Sequence, residues 1–142
     1  MTPMTLELAE ECIRRVKAQA TAMGLLMTIA VVDDAGKLVA FARMPRRSGS
    51  FGEGLAIAKA RTAVAYGRDT KATMENFTAR AGNYYIVGMS GLYPQDFWAG
   101  PGGVPLIVNG EVIGGVGISG SAPELDHQCI TEALRDLDLP GP

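Results

Sequence analysis

The chain has 142 residues, 47% of them hydrophobic and 20% charged, and a formal net charge of −2. That is enough chain for a real hydrophobic core, and it is expected to form a single domain over 1–142. The charge excludes a nucleic-acid binder, which would carry a basic stripe, and no apolar run approaches the roughly 20 residues that span a bilayer.

The N-terminal stretch MTPMTLELAEECIRR has acidic residues where a secretory signal needs positive charge and then an apolar core, so a cytoplasmic protein is expected. Leu6, Ala9, Ile13, Val16, Ala20 and Met23 alternate in steps of three and four, one apolar face of a helix over 5–23. Thr5 is its N-cap and Gly24 its stop. Thr28–Asp33 reads as a strand covered on both faces, Asp34-Ala35-Gly36 as a turn, and 37–43 as the antiparallel return. Arg43, Arg46 and Arg47 read as a solvated basic loop.

Ser50-Phe51-Gly52-Glu53 has capping-box spacing and opens a second helix that runs to about Tyr66, with Gly67 as its stop. The body of this helix is rich in alanine, so a neighbouring backbone can approach closely. Asp69 or Thr70 caps a third helix to about Ala79. Residues 80–99 show no sustained period and read as an irregular segment. Tyr84, Tyr85, Phe97 and Trp98 within it either line a pocket or cover an interface.

Asn109-Gly110 is a strong hairpin signal, because both residues tolerate the positive φ of a type I′ turn. It joins the apolar runs 104–108 and 112–118. Ser121-Ala122-Pro123-Glu124 repeats the capping-box spacing, and Ile130, Leu134 and Leu137 share one face of a last helix. Leu139–Pro142 is a frayed tail. Cys12 and Cys129 lie far apart in helical patterns and read as packed thiols. One histidine and no Cys-x-x-Cys point to no structural zinc site.

The stretches Ala56–Ala63, Pro101–Pro105 and Gly114–Gly120 with Asp126 together resemble the GlcG/HbpS-like family, which also includes the C-terminal domain of PduO-type proteins. Ala56-Ile57-Ala58-Lys59-Ala60-Arg61-Thr62-Ala63 is similar to its "A-x-x-K-A-x-T-A" helix. Pro101-Gly102-Gly103-Val104-Pro105 is similar to its "GGGVP" loop, with Pro101 in place of the first glycine. Gly114-Gly115-Val116-Gly117-Ile118-Ser119-Gly120, followed by Asp126, resembles its "G-A-I-G-V-S-G…D" signature. The resemblance implies a three-layer α/β/α domain, with a five-stranded antiparallel sheet flanked by helices and assembly into homo-oligomers. Relatives include haem-binding and haem-degradation-linked proteins, so haem is the cofactor that the resemblance implies. Two departures fall where a ligand would sit: the long segment Asn83–Trp98, and Gly120-Ser121-Ala122-Pro123 in place of a second glycine.

Lys59 sits in an alanine-rich helix on the side of Leu55, Ala56, Thr62, Ala63 and Tyr66. A lysine turned inward must pair or lose its charge, which makes it an acid/base or anion-anchoring candidate; otherwise it snorkels to the surface. Asp126 is favoured by the dipole of the last helix, and either acts with Lys59 or simply pairs with Lys59 or Arg61. Ser119 completes the catalytic candidates, although Ile118 and Ser121 on its flanks give no Gly-x-Ser-x-Gly elbow. Gly102, Gly103, Val104 and Gly120, with Tyr84 and Trp98, are the candidate ligand-binding residues. The glycine N–H groups would hold an oxyanion, or the loop simply packs tightly. Arg61 faces another side of the helix and is expected at a subunit contact. His127, the sole histidine, is the candidate haem ligand.

The leading expectation is a small-molecule enzyme or binding protein for an organic-acid or aromatic catabolite. It would work without a cofactor, by isomerase, tautomerase or decarboxylase chemistry at Lys59 and Asp126. The alternative is a haem or tetrapyrrole module for sensing, storage or degradation; the blandest is an assembly domain without catalysis. No nucleic-acid or membrane partner is expected.

Overall fold

The computed structural model describes residues 3–46 and 51–139. In chain order the elements are α1 (Leu6–Ala22), β1 (Thr28–Asp33), β2 (Leu38–Arg43), α2 (Gly52–Tyr66), α3 (Thr70–Ala81), α4 (Asn83–Leu92), β3 (Gly103–Val108), β4 (Glu111–Ser119) and α5 (Pro123–Leu134). The strands form one antiparallel sheet in the order β2-β1-β4-β3. The sheet therefore has four strands among the described residues, where the family resemblance implied five. The chain between α3 and β3 is helix and turn, which leaves no strand there to add. Among the described residues no helix is long and apolar enough to cross a membrane.

The sheet lies between two helical layers. On one face Ile29, Val31, Val116 and Ile118 meet α1 through Ala9, Cys12 and Val16, and α5 through Cys129 and Ile130. The buried face of α1 is turned slightly from expectation: Leu8 and Cys12 are inside, and Leu6 is 53% exposed. Thr5 does cap the helix, its Oγ1 accepting from the Leu8 N–H at 3.1 Å.

The other face is made of small residues so that α2 can lie almost against the strand backbone. A Cβ at Gly117 would come within 2.0 Å of the Ala56 carbonyl oxygen, and one at Gly115 within 2.7 Å of that of Ala60. Alanines on α2 answer glycines on β4, and β1 contributes Ala30 opposite Gly117. Burial of this surface, rather than helix amphipathicity, holds α2 in place.

The hairpin turns as expected, with Asn109 at φ 52° and Gly110 at φ 79°. Pro105 sits on the edge strand β3, where its missing N–H costs no ladder bond. Three expectations are corrected or fall elsewhere. Residues 83–92 of the segment read as irregular form α4, whose apolar residues run around the whole helix. Ser121 does not cap α5: Ala122 holds the N-cap position without a side-chain bond, and Pro123 starts the helix. Ser50, Arg47 and residues 140–142 lie outside the described residues. Asp69 caps α3, accepting from the Ala72 N–H at 2.8 Å.

Candidate functional site

Lys59, the glycine loop and Asp126 meet at the end of β4. The Lys59 Nζ donates to the Ile118 carbonyl at 2.9 Å and to Asp126 Oδ2 at 3.3 Å. Asp126 Oδ1 accepts the Ser121 N–H at 3.0 Å, and the Gly120 N–H also supports the carboxylate. Gly102 closes the third side at φ 122°: a Cβ there would lie 2.8 Å from the Ile118 oxygen and 3.0 Å from Lys59 Nζ. Only glycine fits both that backbone and that space.

The pair is sealed. Lys59 is 4% exposed and Asp126 2%, and neither lines any of the described surface grooves. Burial pushes the Lys59 amine down from its ordinary value, and the Asp126 carboxylate opposes the shift. Burial pushes the Asp126 carboxyl up, against the attraction of the Lys59 ammonium and the two backbone N–H groups. The anion held by the backbone donors is thus the protein's own Asp126. Of the N–H groups expected to hold an oxyanion, that of Gly103 donates to Thr70 Oγ1 at 2.8 Å, and those of Gly120 and Ser121 serve Asp126.

The other candidates separate. Ser119 ends β4, is 8% exposed and makes no hydrogen bond to Lys59 or Asp126. Gly120 packs on the 26–27 backbone, where a Cβ would lie 2.3 Å from the Leu26 oxygen. Tyr84 faces solvent and lines none of the described grooves. Tyr85 stacks on Phe77 at 4.9 Å, and Phe97 is buried beside it. Arg61, expected at a subunit contact, is used within the chain: Nε donates to the Gly36 carbonyl at 2.8 Å, and one terminal nitrogen lies 3.3 Å from Asp96.

Two threonines that the sequence did not single out as site residues fix the loop before β3. Thr62 Oγ1 accepts the Trp98 N–H at 2.8 Å while donating to the Ala58 carbonyl. Thr70 Oγ1 donates to the Gly100 carbonyl at 2.5 Å. Thr62 lies in the matched "A-x-x-K-A-x-T-A" stretch, which was the available signal.

Two grooves flank this anchor. One, of about 510 Å³, runs between β3 and α5, with Val104, Leu106, Ile107, Ile130 and Leu134 among its walls; His127 and Arg135 also line it. The His127 Nδ1 is buried there with no hydrogen-bond partner among the described residues. The other, of about 500 Å³, lies between α4 and the 98–101 loop, and Trp98 lines it.

The architecture is that of an α/β protein in which a four-stranded antiparallel sheet is packed between helices and pinned by a buried lysine–aspartate pair. The chain belongs to the family of haem degrading protein HbpS-like proteins, whose model matches residues 4–135. It is similar to a double mutant of HbpS from Streptomyces reticuli, at 26% identity and TM-score 0.82, covering 98% of this chain and 90% of that one. It is similar to protein ORFY of Klebsiella pneumoniae, at 26% identity and TM-score 0.80, with 97% and 95% covered. The chain of a PduOC:heme complex is 25% identical at TM-score 0.79, with 94% of each chain covered. A comparison with curated proteins finds no match.

Proposed function

We propose that the protein binds haem or a related tetrapyrrole in the groove between β3 and α5. The supporting observation is His127: the chain's only histidine lines an apolar groove, and its buried Nδ1 has no hydrogen-bond partner among the described residues. The donor set suits the ligand. His127 would hold the iron through its imidazole, the Val104, Leu106, Ile130 and Leu134 walls would flank a flat apolar ring, and Arg135 would offer a cation to a carboxylate of the ligand. The family, and the neighbour solved as a complex with haem, support the same reading.

Bound haem would supply a redox-active iron. The chain's part is to exclude water with the apolar walls and to orient the ring through His127. Lys59 and Asp126 take no direct part, since their charges are spent on each other and on Ile118. Their role is to fix the first turn of α5, one residue before His127. The acid/base isomerase or decarboxylase reading gains no support, since Lys59 and Asp126 are buried and paired with each other.

The test is titration of the purified protein with haemin. A saturable Soret shift at one haem per chain is expected, and His127→Ala should lose it while keeping its far-UV circular dichroism. No saturable shift, or an unchanged shift in the variant, rules the assignment out.

A further inference from the structure

We propose that the groove between α4 and the 98–101 loop is a second small-molecule site, taking a flat, uncharged aromatic compound that carries a hydrogen-bond acceptor. The proposal is independent of the His127 groove, and three observations carry it. The first is shape and chemistry: a concavity of about 500 Å³ walled by Met74, Ile86, Val87, Trp98, Pro101 and Pro123 has the size and apolar lining of a small-ligand pocket. Val87 is 70% exposed and Trp98 43%, so large apolar side chains are turned to water inside a hollow.

The second is that the walls are built before any ligand arrives. The Trp98 backbone is tied to Thr62, and Gly100 to Thr70. Behind α4, Ile86 and Met89 pack on the Phe77, Phe97 and Ala99 cluster, and Tyr85 stacks on Phe77. A pre-ordered wall reduces the entropy lost on binding.

The third is polarity. The indole Nε1 lies beside Gly100, where a Cβ would come within 2.9 Å of it. Among the described residues this N–H donates to no protein group, and with Trp98 43% exposed it is free to donate to a ligand acceptor in exchange for solvent. Ser90 has already given its hydroxyl proton to the Ile86 carbonyl at 2.8 Å. Among the described residues the one charged side chain lining the hollow is Glu124, paired at 3.0 Å with Lys71. The hollow is lined by no described cation that could pair with a ligand carboxylate, which selects an uncharged aromatic over an aromatic acid.

Trp98 is the only tryptophan in the chain, so selectively excited tryptophan emission reports on this hollow. The probes are quinoline (flat, with an acceptor nitrogen), naphthalene (flat, without one) and 1-naphthoate (flat and anionic), each titrated in neutral buffer. Quinoline is expected to change the Trp98 emission saturably, with naphthalene roughly three- to tenfold weaker for want of one hydrogen bond. Naphthoate should be weaker than quinoline. Ser90→Leu, which fills the hollow from α4, should abolish the quinoline response while leaving both the far-UV circular dichroism and the haemin titration unchanged. Trp98→Phe, followed by calorimetry, should reduce quinoline to the affinity of naphthalene. The proposal is overturned if quinoline gives no saturable change, if Ser90→Leu binds it as the parent does, or if naphthoate binds more tightly.

Discussion

Replacing Lys59 by methionine tests whether the buried pair is the pin that holds α5 on the sheet. Methionine keeps the unbranched stem and removes the charge, so packing against Gly102 is largely preserved. What changes is Asp126: at 2% exposure it keeps the Ser121 and Gly120 N–H groups but loses its counter-ion. Breaking a buried pair from one side costs about 3–5 kcal/mol. At about 2.1 cal/mol/K of unfolding entropy per residue, this lowers the Tm of a chain of this length by roughly 10–17 °C. The double variant Lys59→Met/Asp126→Leu removes both charges and is expected to recover most of the loss, because a buried pair has no large advantage over apolar packing. Urea denaturation of the parent, both single variants and the double variant gives the coupling directly. The pH dependence has a fixed sign. Without Lys59, burial raises the folded-state pKa of Asp126 further above its unfolded value. Its contribution is therefore full below the unfolded pKa and lost as pH rises through the folded one. The gap between variant and parent should narrow in acid. A loss below about 1 kcal/mol in Lys59→Met, or single losses that simply add, would refute the reasoning.

Gly117→Ala should destabilise by about 3 kcal/mol or more, because its Cβ would lie 2.0 Å from the Ala56 carbonyl oxygen and 2.5 Å from the Ala60 nitrogen, and a helix backbone cannot step aside. Gly54→Ala, in the same helix α2 but with open space around it, should stabilise by about 0.5–1 kcal/mol; thermal melts of the two variants separate close approach from mere glycine content. Burial pushes the Cys12 thiol up to about 12 and that of Cys129 up to about 11. Both should resist a disulfide reagent in the folded protein at neutral pH. Their contribution to stability is complete below the ordinary thiol value of 9.0 and fades as pH climbs through the raised values, which denaturation at stepped alkaline pH measures.

Local chemistry made much of the fold readable in the sequence. Thr5 before an apolar stripe, Asp34-Ala35-Gly36 and Asn109-Gly110 between strand-like runs all act over a few residues, and each appears where expected. The meeting of Lys59, Gly102 and Asp126 was readable for a related reason. A lysine among alanines and a glycine-laced strand both signal close packing, and the family motif joined them. Helix α4 was not readable, because none of its residues is fully buried and its Asn-Tyr-Tyr-Ile-Val-Gly-Met-Ser-Gly-Leu sequence carries no period of 3.6. The Ser121 cap failed because the helix begins one residue later than the capping-box spacing implied: Ala122 holds the N-cap position, Pro123 follows, and Ser121 lies just outside. Nor can a sequence say whether an inward lysine meets a ligand or a carbonyl. Here it meets Ile118, a contact set by how far α2 sinks toward β4.

The two outer strands leave the sheet lopsided. Along β3, Pro105 breaks the row of donors that an incoming strand would need, so extension from that side is blocked by covalent chemistry. Along β2, Leu38–Arg43 carries no proline, and its guard is charge, Arg43 at one end and Lys37 just before the other. Salt screens that guard but leaves the proline untouched. Any fibrous or misassembled form of this protein should therefore grow from the β2 margin, and grow faster at high ionic strength.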